Sequence, residues 1–212
     1  MRVPSLPPLE TTAAWFGVVG TAVTVASAVV VLGAVLVDFV DFHGRGQVKK
    51  EQRSVVETGS MMLFFILFYI LIRFRIGQLG AVGTPWFETL IILGSALLVV
   101  GCVVNVRGRF RLGQNWSNQV VIYRDHTLVT DGVYSLVRHP LYASTVWMFI
   151  GASLVYVNYL SLLATLIIFI PFMVYRAKQE EAALRQEFSA YATYQQKVGM
   201  FVPKIFSHHD KV

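Results

Sequence analysis

The stretch His126–Tyr142 reads HTLVTDGVYSLVRHPLY, and it divides the chain into two strongly apolar halves. Asp131-Gly132 is a turn signal. Tyr134, Arg138, His139 and Tyr142 then place two aromatics, a fixed cation and an imidazole within nine residues. Pro140 has no backbone N–H and a preset φ, so it suits the first turn of a new helix. Polar chemistry crowded against the start of an apolar helix is suited to hold a small charged molecule. The stretch therefore reads as the floor of a cofactor site.

Outward from this stretch the sequence is that of an all-α, polytopic membrane protein. Of 212 residues, 55% are hydrophobic and only 14% charged, against roughly 25% charged in an average soluble domain. Several apolar runs approach the roughly 20 residues that cross a bilayer as helix. Five spans are expected, at about 13–37, 55–72, 87–106, 140–157 and 159–175. Asn158 alone separates the last two, which makes them a tight antiparallel hairpin. Pro171 predicts a kink, tolerated in a membrane helix whose neighbours satisfy the freed carbonyl. From Ala177 onward Leu184, Phe188, Tyr191 and Val198 share one helical face, which predicts an amphipathic C-terminal helix over 177–198. The chain then divides into an N-terminal membrane part, 1–106, and a catalytic part, 107–212. The catalytic part comprises a cofactor loop at 114–142, a helical hairpin at 140–175 and the amphipathic helix.

Smaller features have modest readings. Gly20, Thr24 and Ala28 recur every four residues in the first span, a small-residue stripe that lets helices approach closely. Trp15 is placed for an interfacial anchor. Glu57 lies one turn inside the second span, where it can reach water. The lone Cys102 sits in an apolar run and reads as a small buried hydrophobe. The N-terminal MRVPSLPPLE shows no cleavage-site pattern, so the first span is expected to be retained. The final HHDKV carries no lipidation signal.

The net charge of +6 does not point to nucleic acid, because the basic residues flank the spans. Four Lys or Arg fall in the first loop, five from Arg107 to Arg138 and six from Arg176 onward, all on one side of a five-span topology. Only Arg2, Arg73 and Arg75 fall on the other. The positive-inside rule predicts an N-terminus outside, with the C-terminus and the 126–142 loop cytoplasmic.

Three polar clusters converge on that face: Gln114, Trp116 and Gln119; the 126–142 loop; and Arg176, Glu180 and Glu181. Arg176 and Glu180 are four apart and share a helical face. They could form a surface ion pair worth at most about 1 kcal/mol, or present a cation to a carboxylate and an anion to an ammonium. No metal site is expected, since His43, His126, His139, His208 and His209 scatter over loops and tail. Gly44 and Gly46 do not open a phosphate-binding βαβ unit.

These residues resemble the isoprenylcysteine carboxyl methyltransferase family of integral membrane, S-adenosylmethionine-dependent methyltransferases. The resemblance is carried by His126-Thr127-Leu128-Val129-Thr130, Gly132-Val133-Tyr134, Arg138-His139-Pro140-x-Tyr142, and Arg176 with Glu180-Glu181-x-x-Leu184. Phe188-x-x-Tyr191-x-x-Tyr194 follows. It covers roughly residues 111–204. It implies that S-adenosylmethionine is bound by Gln119, His126, Thr127, Leu128, Val129, Tyr134, Arg138, His139, Pro140, Leu141, Tyr142 and Glu180. It also implies that Arg176 faces the methyl acceptor, the C-terminal carboxylate of a prenylated cysteine. The expected partners are therefore a lipidic or prenylated acceptor and membrane lipids.

The chemistry is compatible. A carboxylate acceptor is ionised near neutral pH and needs no general base, so holding donor and acceptor in line can supply on the order of 7–11 kcal/mol of the barrier. A guanidinium can orient that carboxylate bidentately. Three alternatives remain open at this stage. They are methylation of a phospholipid amine or small thiol, an NADPH-dependent membrane reductase with a similar RHPxY string, and a non-enzymatic scaffold or transporter.

Overall fold

The computed structural model describes residues 12–41, 48–52, 55–80, 84–113, 120–123 and 127–204. Each expected span is helical: α1 (Thr12–Asp41), α2 (Val55–Arg73), α3 (Pro85–Leu112), α4 (Pro140–Val155), and a long run made of α5 (Tyr159–Ala164) and α6 (Ile170–Glu187). α7 (Tyr191–Lys197) follows. Among the described residues three helices are long and apolar enough to cross a membrane, over Thr12–Asp38, Trp86–Leu112 and Tyr159–Glu187. α2 and α4 carry shorter apolar stretches, Gly59–Arg73 and Pro140–Val155.

α3 and α4 form the central contact. A Cβ on Gly94 would lie 2.6 Å from the Gly151 carbonyl oxygen, and one on Gly151 would lie 2.7 Å from that of Gly94. Only glycine at both positions lets the backbones touch, and close approach is how helices associate without a hydrophobic driving force from water. Gly20 brings α1 onto the same pair, since a Cβ there would be 2.9 Å from side-chain atoms of Ile91 and Val155. α2 joins through aromatics. Phe64 stacks on Phe169 with centroids 4.5 Å apart, and Phe68 meets Phe149 edge-on at 4.7 Å. Such pairs add to the area they bury.

Asn158 closes the hairpin. Its side chain caps α5 by accepting from the Ser161 amide at 2.9 Å, and its Nδ2 donates to the carbonyls of Leu71 and Ile76 at the end of α2. One amide thus fixes both the turn and the position of a third helix.

Three findings differ from the sequence expectation. The chain is not purely helical: β1 (Val48–Gln52) pairs antiparallel with β2 (Val120–Tyr123), Glu51 opposite Val121, joining two loops separated by α2 and α3. Ahead of Pro171, where the sequence predicts a kink, stands a π-helical turn over Thr165–Phe169, in which the Ile170 amide donates to the Thr165 carbonyl five residues back. Pro171 has no N–H, and its ring crowds the carbonyl at Ile167, so widening the preceding turn relieves both problems. Finally, the helix expected over 177–198 is two helices. It breaks at Phe188, whose backbone is extended (φ −119°, ψ 110°), and the chain turns before α7.

Candidate functional site

Between α3 and α4 the loop is shaped by Asp131-Gly132, as the turn signal predicts. Gly132 has φ +60°, a left-handed conformation that suits glycine. A single 3-10 turn over Gly132–Ser135 follows, held by the Tyr134 amide donating to the Asp131 carbonyl at 3.1 Å. This turn drives the Tyr134 side chain inward. Its hydroxyl points to the Gly108 carbonyl on α3 at 3.5 Å, and the Tyr194 hydroxyl donates to the Tyr134 carbonyl at 2.5 Å. Burial, reinforced by the charge of Glu180, holds the Tyr134 pKa well above the ordinary phenol value. Tyr134 is therefore a neutral donor at physiological pH.

Arg138 and His139 are pinned from outside the loop. Their amides donate to the carbonyls of Gly199 and Met200 at 2.8 and 3.2 Å, so the C-terminal segment forms the strap beneath them. The Arg138 side chain donates to Glu181 through Nε at 2.8 Å and meets it again through Nη2 at 2.7 Å. Its Nη1 donates to the carbonyls of Gln195 and Val198. Gln195 Nε2 takes the other Glu181 oxygen at 2.6 Å. Arg138 and Glu181 thus clamp loop, α6 and tail into one unit.

His139 reaches both acidic residues, with Nε2 3.1 Å from Glu181 Oε1 and Nδ1 3.5 Å from Glu180 Oε2. Its ring stacks on Tyr142, with an interplanar angle of 11°. Burial disfavours the imidazolium, but the bonds to Glu180 and Glu181 outweigh it, and the His139 pKa stands above the ordinary imidazole value. Tyr142 couples electrostatically to Glu180 and Arg176, which extends the network to the buried guanidinium.

Eleven of the thirteen expected site residues line one cavity of about 640 Å³. They are Thr127, Leu128, Val129, Tyr134, Arg138, His139, Pro140, Leu141, Tyr142, Arg176 and Glu180. Gln119 and His126, with Gln114 and Trp116 of the first cluster, lie outside the described residues. The cavity has a second, apolar arm that includes Val31 and Val35 of α1, Phe65 and Phe68 of α2, Met148 and Phe149 of α4, and Phe169 and Met173 beyond. Thr24 and Ala28 of the small-residue stripe also face it. The first two helices are therefore walls of the site.

Sequence reasoning did not single out Arg109 or Asp38. Arg109 Nη1 donates to Asp38 Oδ2 at 2.6 Å, its Nε donates to Asn105 Oδ1 at 2.8 Å, and Asn105 Nδ2 donates to Ser144 Oγ at 2.9 Å. This buried chain ties α1, α3 and α4 together, and Arg109 lines the cavity. The available signal was charge placed inside apolar helix, which is expensive unless paired.

Comparison with known proteins agrees with this architecture. Residues 87–186 match the sequence model of the isoprenylcysteine carboxyl methyltransferase (ICMT) family. Over this segment the chain is similar to the ICMT family. The protein-S-isoprenylcysteine O-methyltransferase of Saccharomyces cerevisiae is 36% identical over 117 residues, 54% of this chain and 49% of that protein. The enzyme of the same name from Tribolium castaneum is 32% identical over 157 residues, 73% of this chain and 52% of that protein. The solved structure of a eukaryotic intramembrane Ras methyltransferase, ICMT, superposes with a TM-score of 0.51 at 27% identity, covering 73% of this chain and 54% of that one. The chain spans about half the length of the curated relatives it matches. The likeness to the ICMT family and the long apolar helices mark it as an integral membrane protein.

Proposed function

We propose that this chain is a membrane methyltransferase that moves a methyl group from S-adenosylmethionine to the C-terminal carboxylate of a prenylated cysteine. The carrying observation is the single cavity with one polar wall and one apolar arm, since the reaction needs a charged, water-soluble donor beside a lipid tail. Sites of this kind hold ligands in pockets of roughly 300–1,000 Å³.

The residues fit the donor. Glu180 offers a carboxylate to an ammonium, Leu128 and Leu141 offer apolar walls to a purine, and the stacked His139 and Tyr142 offer aromatic faces. Tyr191 is also in the wall, its fully buried hydroxyl without a hydrogen-bond partner among the described residues. Gln119, His126, Thr127, Val129, Tyr134, Arg138 and Pro140 complete the proposed set. When bound, S-adenosylmethionine supplies an electrophilic methyl on a sulfonium sulfur. Arg176 orients the acceptor carboxylate bidentately rather than activating it, because a carboxylate gripped too tightly is a poorer nucleophile. Tyr134 stays protonated and donates. The apolar arm excludes water from the line between the reactants and receives the tail.

In this reading α1, α2, α3, α4 and the α5–α6 run make five crossings, with the N-terminus outside and the site cytoplasmic. The sequence division near residue 106 separates a wall-forming part from a chemistry-bearing part. Incubation with labelled S-adenosylmethionine and a panel of prenylcysteines, phosphatidylethanolamine and small thiols tests the acceptor. Label is expected on the prenylcysteines, base-labile as an ester; label on the amine or thiol alone would reassign it. Calorimetry that finds NADPH binding without S-adenosylhomocysteine binding would reject the methyltransferase.

A further inference from the structure

Tyr191 opens α7, and only 1% of its surface reaches solvent. Its hydroxyl has no hydrogen-bond partner among the described residues, and the residue lines the same cavity as Tyr134, Glu180 and Tyr194. Burying a hydroxyl unpaired is unfavourable, and the large majority of buried side-chain polar atoms are bonded. Tyr194 provides the contrast. Three residues later, with its ring packed against Tyr191 at 5.8 Å, it spends its hydroxyl on the Tyr134 carbonyl. One hydroxyl of the pair therefore holds the loop, while the other bonds nothing among the described residues.

We propose that Tyr191 is a binding residue for the S-adenosyl donor, its O–H donating to an acceptor atom of the bound molecule. This rests on the methyltransferase reading above and adds a contact that the family resemblance does not assign. Burial, then the nearby negative charge of Glu181, pushes the phenol pKa up, so the group keeps its proton and acts as a donor. The partner it lacks is an acceptor, and the donor molecule carries several: a carboxylate, ribose oxygens and purine ring nitrogens. The break between α6 and α7 has a purpose in this light, because a straight continuation past Phe188 would not return Tyr191 to the loop.

The test compares wild type with Tyr191→Phe, which removes the oxygen and leaves the ring. S-adenosylhomocysteine binding to the purified full chain is measured by calorimetry, and melting is measured without ligand. A partnerless hydroxyl predicts unchanged or higher ligand-free melting for Tyr191→Phe, with affinity about three- to tenfold weaker, as one lost hydrogen bond implies. Affinity within about twofold of wild type, less than one lost bond, would overturn the assignment, as would a marked fall in ligand-free melting, which would reveal a partner inside the protein. If wild type itself binds no S-adenosylhomocysteine, the methyltransferase reading falls and Tyr191 falls with it. 5′-Methylthioadenosine, which lacks the amino-acid tail, locates the contact. Weakening of both ligands places it on the nucleoside, and weakening of S-adenosylhomocysteine alone places it on the tail.

Discussion

Asp38 with Arg109, and Arg138 with Glu181, are both buried ion pairs, yet they are built differently. The first joins α1, which precedes the family-matched segment, to α3. Among the described residues it contains a carboxylate, a guanidinium and the neutral Asn105. The second joins loop, α6 and tail, and His139 sits between its two acidic residues. One cluster attaches a wall to the site. The other is the floor of the site and holds an imidazole whose pKa stands above its ordinary value. Buried pairs add little net stability over apolar replacements, but breaking one is costly. The comparison therefore concerns what each pair positions, more than how strongly it binds.

The largest expected effect is at the floor. Glu181→Ala leaves Arg138 and His139 buried without their carboxylate, and should cost about 3–5 kcal/mol, read by denaturation in micelles. Asp38→Asn should cost less, about 1.5–3 kcal/mol for a lost charged hydrogen bond, because Arg109 keeps Asn105. Equal losses would mean that the two clusters are energetically alike. Next comes the division of labour along α6. Glu180→Ala should weaken S-adenosylhomocysteine binding about tenfold, in the range of one charged hydrogen bond. Arg176→Ala should leave that binding largely intact while turnover of the acceptor collapses. Equal loss of affinity in both variants would erase the distinction.

A smaller effect separates the clusters by pH. The folded pKa of His139 is raised, so its contribution to stability is fully present below the ordinary value of 6.5 and is lost as pH rises through the folded value. Melting temperature should fall over that window in wild type and in Asp38→Asn, but not in His139→Gln. A slope that survives His139→Gln would assign the titration elsewhere. The smallest effect belongs to the exposed Arg111–Asp131 pair at the rim. Arg111→Ala should leave melting unchanged, since solvent screens such pairs.

Much of this was legible in the sequence for identifiable reasons. Apolar runs place helices because backbone in lipid must satisfy its own hydrogen bonds, and Asp131-Gly132 places the turn because few residues other than glycine accept φ +60° there. The ranking of Glu180 above Glu181 came from the family resemblance and was not legible in helix geometry. Consecutive helical residues point about 100° apart, and only the neighbours decide that Glu181 meets Arg138 while Glu180 faces the cavity. The Asp38–Arg109 pair spans 71 residues of sequence, and each partner alone looks like a charge at a span end. The β1–β2 ladder escaped for a similar reason, since its strands are short, charged in part and paired across two helices. The split at Phe188 was hidden by a helical periodicity that α7 resumes after the break.

The π turn at Thr165–Phe169 has a consequence for how this protein can tolerate changes in length. An ordinary α-helix sets each residue about 100° round from the last, so any insertion or loss rotates one end against the other. Here the widened turn already absorbs one surplus residue between the face of Ser161 and Thr165 and that of Met173 and Arg176. Removing the outward-facing Ile167 should leave both faces aimed at their partners, with Pro171 then kinking the rewound helix. The same excision at Phe172, past the widened turn, would swing the guanidinium and the carboxylates out of the site.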